Sequence, residues 1–313
     1  MLRKFVTALA IVASIGSQAQ HTYFLLDPPE AEIPAVKKIA VLDFGGERGK
    51  SFSERLMAEL LKNDNGIEDV SAGLFKVVRG ECMQQGARTQ VFTIMERSEI
   101  QRVLSEQRFS NSGVVDESTA AELGRVLGLD AMIMGSTNYN RTYNTSTQGE
   151  TSCKELKVNA TVSLKVVDVT TGQVLSVKSE ERTATHKACG NASLKSMGEL
   201  LDDALAKCAV ALAGHIGPHF KAHKFQFERI KVKEYSAMSK KAEDLLETKD
   251  LNGAYNLYST ISTGDPYNAQ SLGNMANIHL IYGNVDDAVK LLERAAAIDR
   301  ENYGEPLKLS SRV

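Results

Sequence analysis

After Gly128 the sequence runs LDAMIM, residues 129–134, an almost unbroken apolar stretch. A strand this apolar has to be covered on both faces, so helices must lie above and below it. That requirement selects a layered design of helices and sheet. The preceding residues supply the cover. Ile100, Val103 and Leu104 recur at i, i+3 and i+4, with Glu99, Gln101, Arg102, Glu106 and Gln107 on the polar side. Asn111, Ser112 and Gly113 break this helix. Asp116 suits the N-cap of a second helix, whose stripe is Ala120, Leu123, Val126 and Leu127, and Gly128 fits its C-terminal cap. Nothing from Glu96 to Ser136 is chemically reactive by type, which points to scaffold and docking surface.

Around this stretch the order of elements continues the same design. Residues 38–44 (KIAVLDF) read as a strand and 51–62 as an amphipathic helix with Phe52, Leu56, Leu60 and Leu61 inward. Residues 74–78 and 90–95 are further strand candidates, with a loop between them. Residues 156–169 and 174–185 form a hairpin about the turn at 170–173, and 193–216 is a helix with Leu200, Leu201, Leu205 and Val210 inward. Residues 138–152 (NYNRTYNTSTQGETS) are polar and read as a loop. The expected fold is an α/β, or α+β layered, domain over 38–218.

A second organisation begins at 235. Ala242 matches Ala276, Ala254 matches Ala288, Asp265 matches Asp299 and Asn268 matches Asn302, a period of 34 residues through 302. Lys249 falls where the second copy has Gly283. This spacing resembles the tetratricopeptide repeat, a helix-turn-helix unit. In that family the first helix of each repeat lines a concave peptide-binding face. The corresponding positions here are Ser239, Glu243, Gln270 and Asn277, whose plainer reading is solvated helix surface. Two copies are few for a free-standing array, so they are expected to lean on the α/β domain.

The chain ends and the cysteines bear on compartment. Residues 1–20 have a basic start, an apolar run at 5–15 and small residues at 17–19, as in a secretory signal peptide. Residues 21–37, rich in Pro, Glu and Asp, read as a leader, 219–234 as a basic linker that could hold a short edge strand or the start of a helix, and 303–313 as a tail. With no cysteine after the expected cut, a bacterial lipid anchor is not indicated, and no later segment suits a transmembrane helix. Export makes disulfides possible. Cys153 and Cys189 each lie about 18 residues from the hairpin turn and would meet across the strands; the alternative is two free thiols. Cys82 and Cys208 have no such argument. A net charge of −2 on 313 residues gives no reason to expect nucleic acid as partner.

Three features invite chemistry. Residues 45–51 (GGERGKS) follow a strand and open a helix, but the phosphate-binding pattern needs four residues before Gly-Lys-Ser, and here Gly45 leaves three. His215, His219 and His223 are spaced by four, yet Gly217 and Pro218 interrupt the helix that would align them for zinc. Glu180 and Glu181 are neighbours on a strand and point to opposite faces. No catalytic, cofactor-binding or metal-ligating set is expected.

The ordered series Ile39 to Phe44, Glu96-Arg97, Ile100, Leu104, Glu106-Gln107, Ser112-Gly113, Leu123-Gly124, Leu127-Gly128 and Gly135-Ser136, followed by the hairpin 162–175, resembles the CsgG family of curli production assembly and transport components. The resemblance covers about residues 38–216 and implies secretion or envelope assembly by protein contacts, with homo-oligomers as a possibility. Known members are outer-membrane secretion channels. Here the polar 138–152 segment leaves little room for spanning hairpins, so the expectation is a periplasmic accessory associated with the outer membrane, a pore subunit being the alternative.

Overall fold

The computed structural model describes residues 19–33, 36–63, 89–106, 117–148 and 151–304. Residues 1–18 of the signal-peptide candidate, the strand expected at 74–78, Cys82, the break at 111–113 and Asp116 lie outside the described residues. In chain order the elements begin with β1 (Ala19–Asp27), β2 (Lys38–Val41), α1 (Gly49–Leu61), β3 (Thr93–Ile94), α2 (Arg97–Glu106) and α3 (Glu117–Leu127). The long strands β4 (Ala131–Gln148), β5 (Thr151–Asp168) and β6 (Val174–Cys189) follow, then α4 (Met197–Ile216) and β7 (His219–Phe227). The last elements are α5 (Ser236–Glu247), α6 (Leu251–Gly264), α7 (Ala269–Ile281) and α8 (Val285–Ile298). The described residues divide into two compact units: 28–219, and a second assembled from 19–27 and 220–304. No helix among the described residues is long and apolar enough to cross a membrane.

The first unit is a five-stranded sheet in the order β3-β2-β4-β5-β6 between two helical layers. β2 pairs in parallel with β3 and β4, and β4, β5 and β6 are antiparallel. Alternation along β2 and the start of β4 explains the layers. Ile39, Val41, Ala131 and Ile133 join the core under α1 and α4. Ala40, Leu42 and Met132 join Ile100, Ala120 and Leu123 on the other side. Successive strand residues thus feed opposite cores, as the run 129–134 requires. Helix α4 starts on a capping box, with Ser196 Oγ accepting from Glu199 N and the Glu199 carboxylate accepting from Ser196 N.

Residues 138–148 and 151–152 of the segment expected as a loop are strand instead. β4 and β5 pair residue for residue from Ala131↔Asp168 to Gln148↔Thr151. Residues 140–147 of β4 are exposed on both faces, so the period-2 hydrophobic signal vanishes there while the ladder continues. The 21–37 leader is also revised: it holds most of β1, which forms a two-stranded sheet with β7, the strand that 219–234 could hold. Ring contacts between His21 and Phe227 and between Tyr23 and Phe225 show one strand rising in number as the other falls.

Cys153 and Cys189 lie directly opposite on β5 and β6 and are joined as a disulfide. Cys208 is a free thiol, fully buried, and burial pushes its pKa up to about 11, so it is unreactive. Replacing both bridged cysteines by alanine is expected to lower stability by about 3–4 kcal/mol, the loop-entropy value for a loop of this size. Urea unfolding of the oxidised protein and the double variant checks this; coincident midpoints would contradict it.

Candidate functional site: a main-chain clamp in the helical repeats

The 34-residue period fixes which side chains of α5 to α8 face inward. Lys249 and Gly283, one period apart, both have positive φ, 65° and 78°, and close the turn between the two helices of each repeat. Asp250 and Asn268 cap α6 and α7 by accepting from Gly253 N at 2.8 Å and Ser271 N at 2.9 Å. Ala242, Ala254, Ala276 and Ala288 are fully buried, as small residues must be where helices approach closely. The first helices of the two repeats, α5 and α7, then present a polar row towards residues 226–230, the last two residues of β7 and the three that follow.

Six interactions hold that connector. Asn277 Nδ2 donates to Gln226 O at 2.9 Å. Asn274 grips Glu228 twice: its Oδ1 accepts from Glu228 N at 2.9 Å and its Nδ2 donates to Glu228 O at 2.8 Å. Ile230 N donates to Ser239 Oγ at 2.9 Å. Tyr303 Oη donates to Glu228 Oε1 at 2.7 Å, and Arg229 Nε lies 3.4 Å from Glu243 Oε1. Phe225, Phe227 and Ile230 are buried with Tyr23, Phe24 and Leu25 of β1 in the core of this unit. Lys249 Nζ stands over the Tyr23 ring, 4.6 Å from its centroid.

The expectation that Ser239, Glu243, Gln270 and Asn277 form a free concave face is corrected. Ser239 is fully buried, and Ser239, Glu243 and Asn277 hold the chain's own connector, while Gln270 is half-exposed. The sequence reading missed Asn274 and Tyr303. Asn274 had a signal, since it is a polar residue inside the apolar run of α7, between Gln270 and Asn277 on one face. Tyr303 had been assigned to the tail and is buried beside Gly273, where a Cβ would meet its ring at 2.4 Å.

Burial pushes the Tyr303 phenol well up, with the Glu228 carboxylate adding to it, so the hydroxyl stays protonated and donates. Burial also raises Glu243, against the pull of Arg229. A raised carboxyl contributes stability below the ordinary glutamate range and loses it as pH rises through the folded-state value. Melts from pH 4 to 7 should therefore show E243Q level with the wild type in acid and gaining on it towards neutrality. A constant difference across that range would contradict this.

The other candidates disperse. In the 45–51 loop, Gly45 N donates to Gly135 O and Gly49 N to Gly46 O, so these amides are spent on the turn. His215 Nε2 lies 2.9 Å from Ser176 Oγ, and its Nδ1 lies 3.2 Å from Glu30 Oε2. This relay has the order of a hydrolytic triad, but the Glu30 carboxylate is 55% exposed and also pairs with Lys178 at 3.0 Å, which suits a latch on the chain entering β2. His223 pairs instead with Asp27 at 2.9 Å. Among the described residues no group of three His, Cys, Asp or Glu is placed to hold a metal ion.

Comparison with known proteins follows the same division. The model of the curli production assembly/transport component CsgG matches residues 31–214, and a tetratricopeptide-repeat model matches 245–311. No curated protein matches. Solved structures with a similarity include the lipoprotein GNA1162 from Neisseria meningitidis, 15% identical over 57% of this chain and 97% of that one, with a TM-score of 0.25. The LpoB C-terminal domain from Escherichia coli is 13% identical over 48% of this chain and 84% of its own, with a TM-score of 0.27. A PelC dodecamer from Paraburkholderia phytofirmans is 13% identical over 63% and 94%, with a TM-score of 0.23. The match at 31–214 spans more than half of the chain, and the protein belongs to the CsgG family, carrying tetratricopeptide repeats at its C-terminal end.

Proposed function

We propose that this chain is an exported component of curli-type secretion or envelope assembly that acts by protein–protein contact without catalysis. The observation that supports it most is the joining, in one chain, of a CsgG domain to tetratricopeptide repeats, an interaction fold. Its compartment is the periplasm, beside the outer membrane. Its partners are other envelope or secretion proteins, and copies of itself.

The alternative of a pore subunit meets a different obstacle from the one expected. The β4–β5 hairpin has 18 residues in each strand, more than the 9–11 a membrane strand needs. The distal part of β4 lacks an apolar band. One face of β4 carries Asn138, Asn140, Thr142 and Asn144, and the other Tyr139, Arg141, Tyr143 and Thr145. A lipid-facing surface needs every second residue apolar, so this strand suits water or a polar partner.

The test is crosslinking in the native cell from a photoreactive residue at Tyr267, which is 80% exposed on the α6–α7 turn. Adducts with envelope proteins, in material released without detergent, are expected. Recovery with cytosolic proteins would overturn the reading. Deleting the repeats is a poorer test, because it would uncover Phe225, Phe227 and β1.

A further inference from the structure

Strand β6 ends the five-stranded sheet, and among the described residues no strand pairs with its outer side. It is 16 residues long and holds neither proline nor glycine, so nothing in its sequence interrupts the edge. The register fixes which main-chain groups point outward. Cys153 lies opposite Cys189, and one step on Gly190 N donates to Ser152 O, so the even-numbered residues of β6 bond to β5. The odd-numbered Val177, Ser179, Glu181 and Thr183 turn their N–H and C=O groups to the open side, and all four are exposed. Helix α4 rides over the seam of β5 and β6, with Cys208 Sγ 3.8 Å from Ala160 O and 3.9 Å from Glu180 O.

A long unpaired edge is a template for another strand, and charges commonly guard it. Here the charges alternate in sign. Lys178, Glu180 and Arg182 follow one another on the side of the sheet that α4 covers. If a second β6 lies antiparallel about a two-fold axis at Ser179, Lys178 falls opposite Glu180 of the second copy, and this happens twice. One step of register in one direction sets Lys178 on Lys178, and one step in the other sets Glu180 on Glu180, which repel. Glu30 and Arg182 of the same chain, 3.0 Å from Lys178 and 2.6 Å from Glu180, hold the two charges in place and lengthen the row.

We propose that β6 is a dimerisation edge, to which a second copy of this chain adds an antiparallel strand about a two-fold axis at Ser179. Ser179 then faces Ser179, and Val177 faces Glu181, with their outward main-chain groups aimed at one another. The interface is self-complementary and closes at two chains. The inference rests on the part of the proposed function that counts copies of the chain among its partners.

Light scattering coupled to size-exclusion chromatography of the full chain tests this. The wild type is expected at the mass of two chains. Ser179→Pro removes one outward N–H, which an edge strand tolerates, and should give monomers with an unchanged circular dichroism spectrum. K178E and E180K each set like charges opposite one another and should raise the dimer dissociation constant about tenfold or more. An equimolar mixture of K178E and E180K regains both opposite-charge pairs and should dimerise as the wild type does. A monomeric wild type, a mixture no tighter than either variant alone, or assemblies of more than two chains that survive S179P overturn the inference. If S179P does not fold, the mixture decides alone. Crosslinking from Tyr267 reports envelope partners whether or not the chain dimerises, so the two failures are distinguishable.

Discussion

Phe227→Ala is expected to melt the C-terminal unit far below the rest of the protein. Phe227 ends β7 with 1% of its surface exposed, meets His21 of β1 edge-on at 5.8 Å, and belongs to the core that includes Tyr258 and Leu272. Truncating a buried phenylalanine costs about 3–5 kcal/mol, because the transfer energy is lost and a cavity remains. That is a large part of the roughly 5–15 kcal/mol that holds a domain. At about 4–8 °C per kcal/mol for a unit of this size, the shift is more than 10 °C. Calorimetry should show the helical repeats unfolding in a separate early transition while the disulfide-bridged sheet persists. A single transition at the wild-type temperature would contradict the description of this core.

Gly135→Ala is expected to be the most damaging small change in the other unit. Gly135 sits on β4 at the centre of the sheet. A Cβ there would lie 2.0 Å from Ser163 O and 2.4 Å from Phe44 Cε1. Neither neighbour can give way easily. Ser163 belongs to the β4–β5 ladder, and the Phe44 ring packs on Phe52 at 5.1 Å in the core. Relief requires parting the strands or expelling the ring, a loss of about 3 kcal/mol or more. Gly128 is the control: its φ is +62° but an added Cβ meets nothing within 4 Å, so G128A should cost only about 1–2 kcal/mol, the left-handed backbone penalty. Urea midpoints that rank G128A below G135A would refute this account.

What could be read from the residues alone follows from where burial is one-sided. Helices α1, α3 and α4 were legible because most of their apolar stripes face one core, although Leu61 and Val126, expected inward at the helix ends, are exposed. The outer half of β4 was not, since Asn140 to Ser146 are exposed on both faces and a strand without a buried face carries no alternation. β1 was hidden differently. Its Tyr23, Phe24 and Leu25 were in view, but the following Pro28, Pro29 and acidic residues gave the whole segment the composition of a leader, and its strand partner, β7, follows only after the whole sheet domain. At the candidate site, the 34-residue period located Ser239, Glu243 and Asn277, yet could not say that the groove is filled. The connector is held mainly through its main chain, and main-chain recognition leaves no signature in residue type.

The pairing of β1 with β7 sets the order in which this protein can be finished. Asp27 and His223 are 196 residues apart in sequence and 2.9 Å apart in space. Closing so long a loop in a disordered chain would cost about 5 kcal/mol from the length term alone. The sheet domain removes most of that cost, because its own fold ties Ala31 N to His215 O at 2.9 Å and so brings the two outgoing strands together. The domain between them acts as an assembly jig. β1 has its pairing partner only once β7 has been made. A lesion in the sheet domain far from the repeats would therefore surface first as repeats that fail to mature, with Tyr23, Phe24 and Leu25 left bare for proteases and chaperones to find.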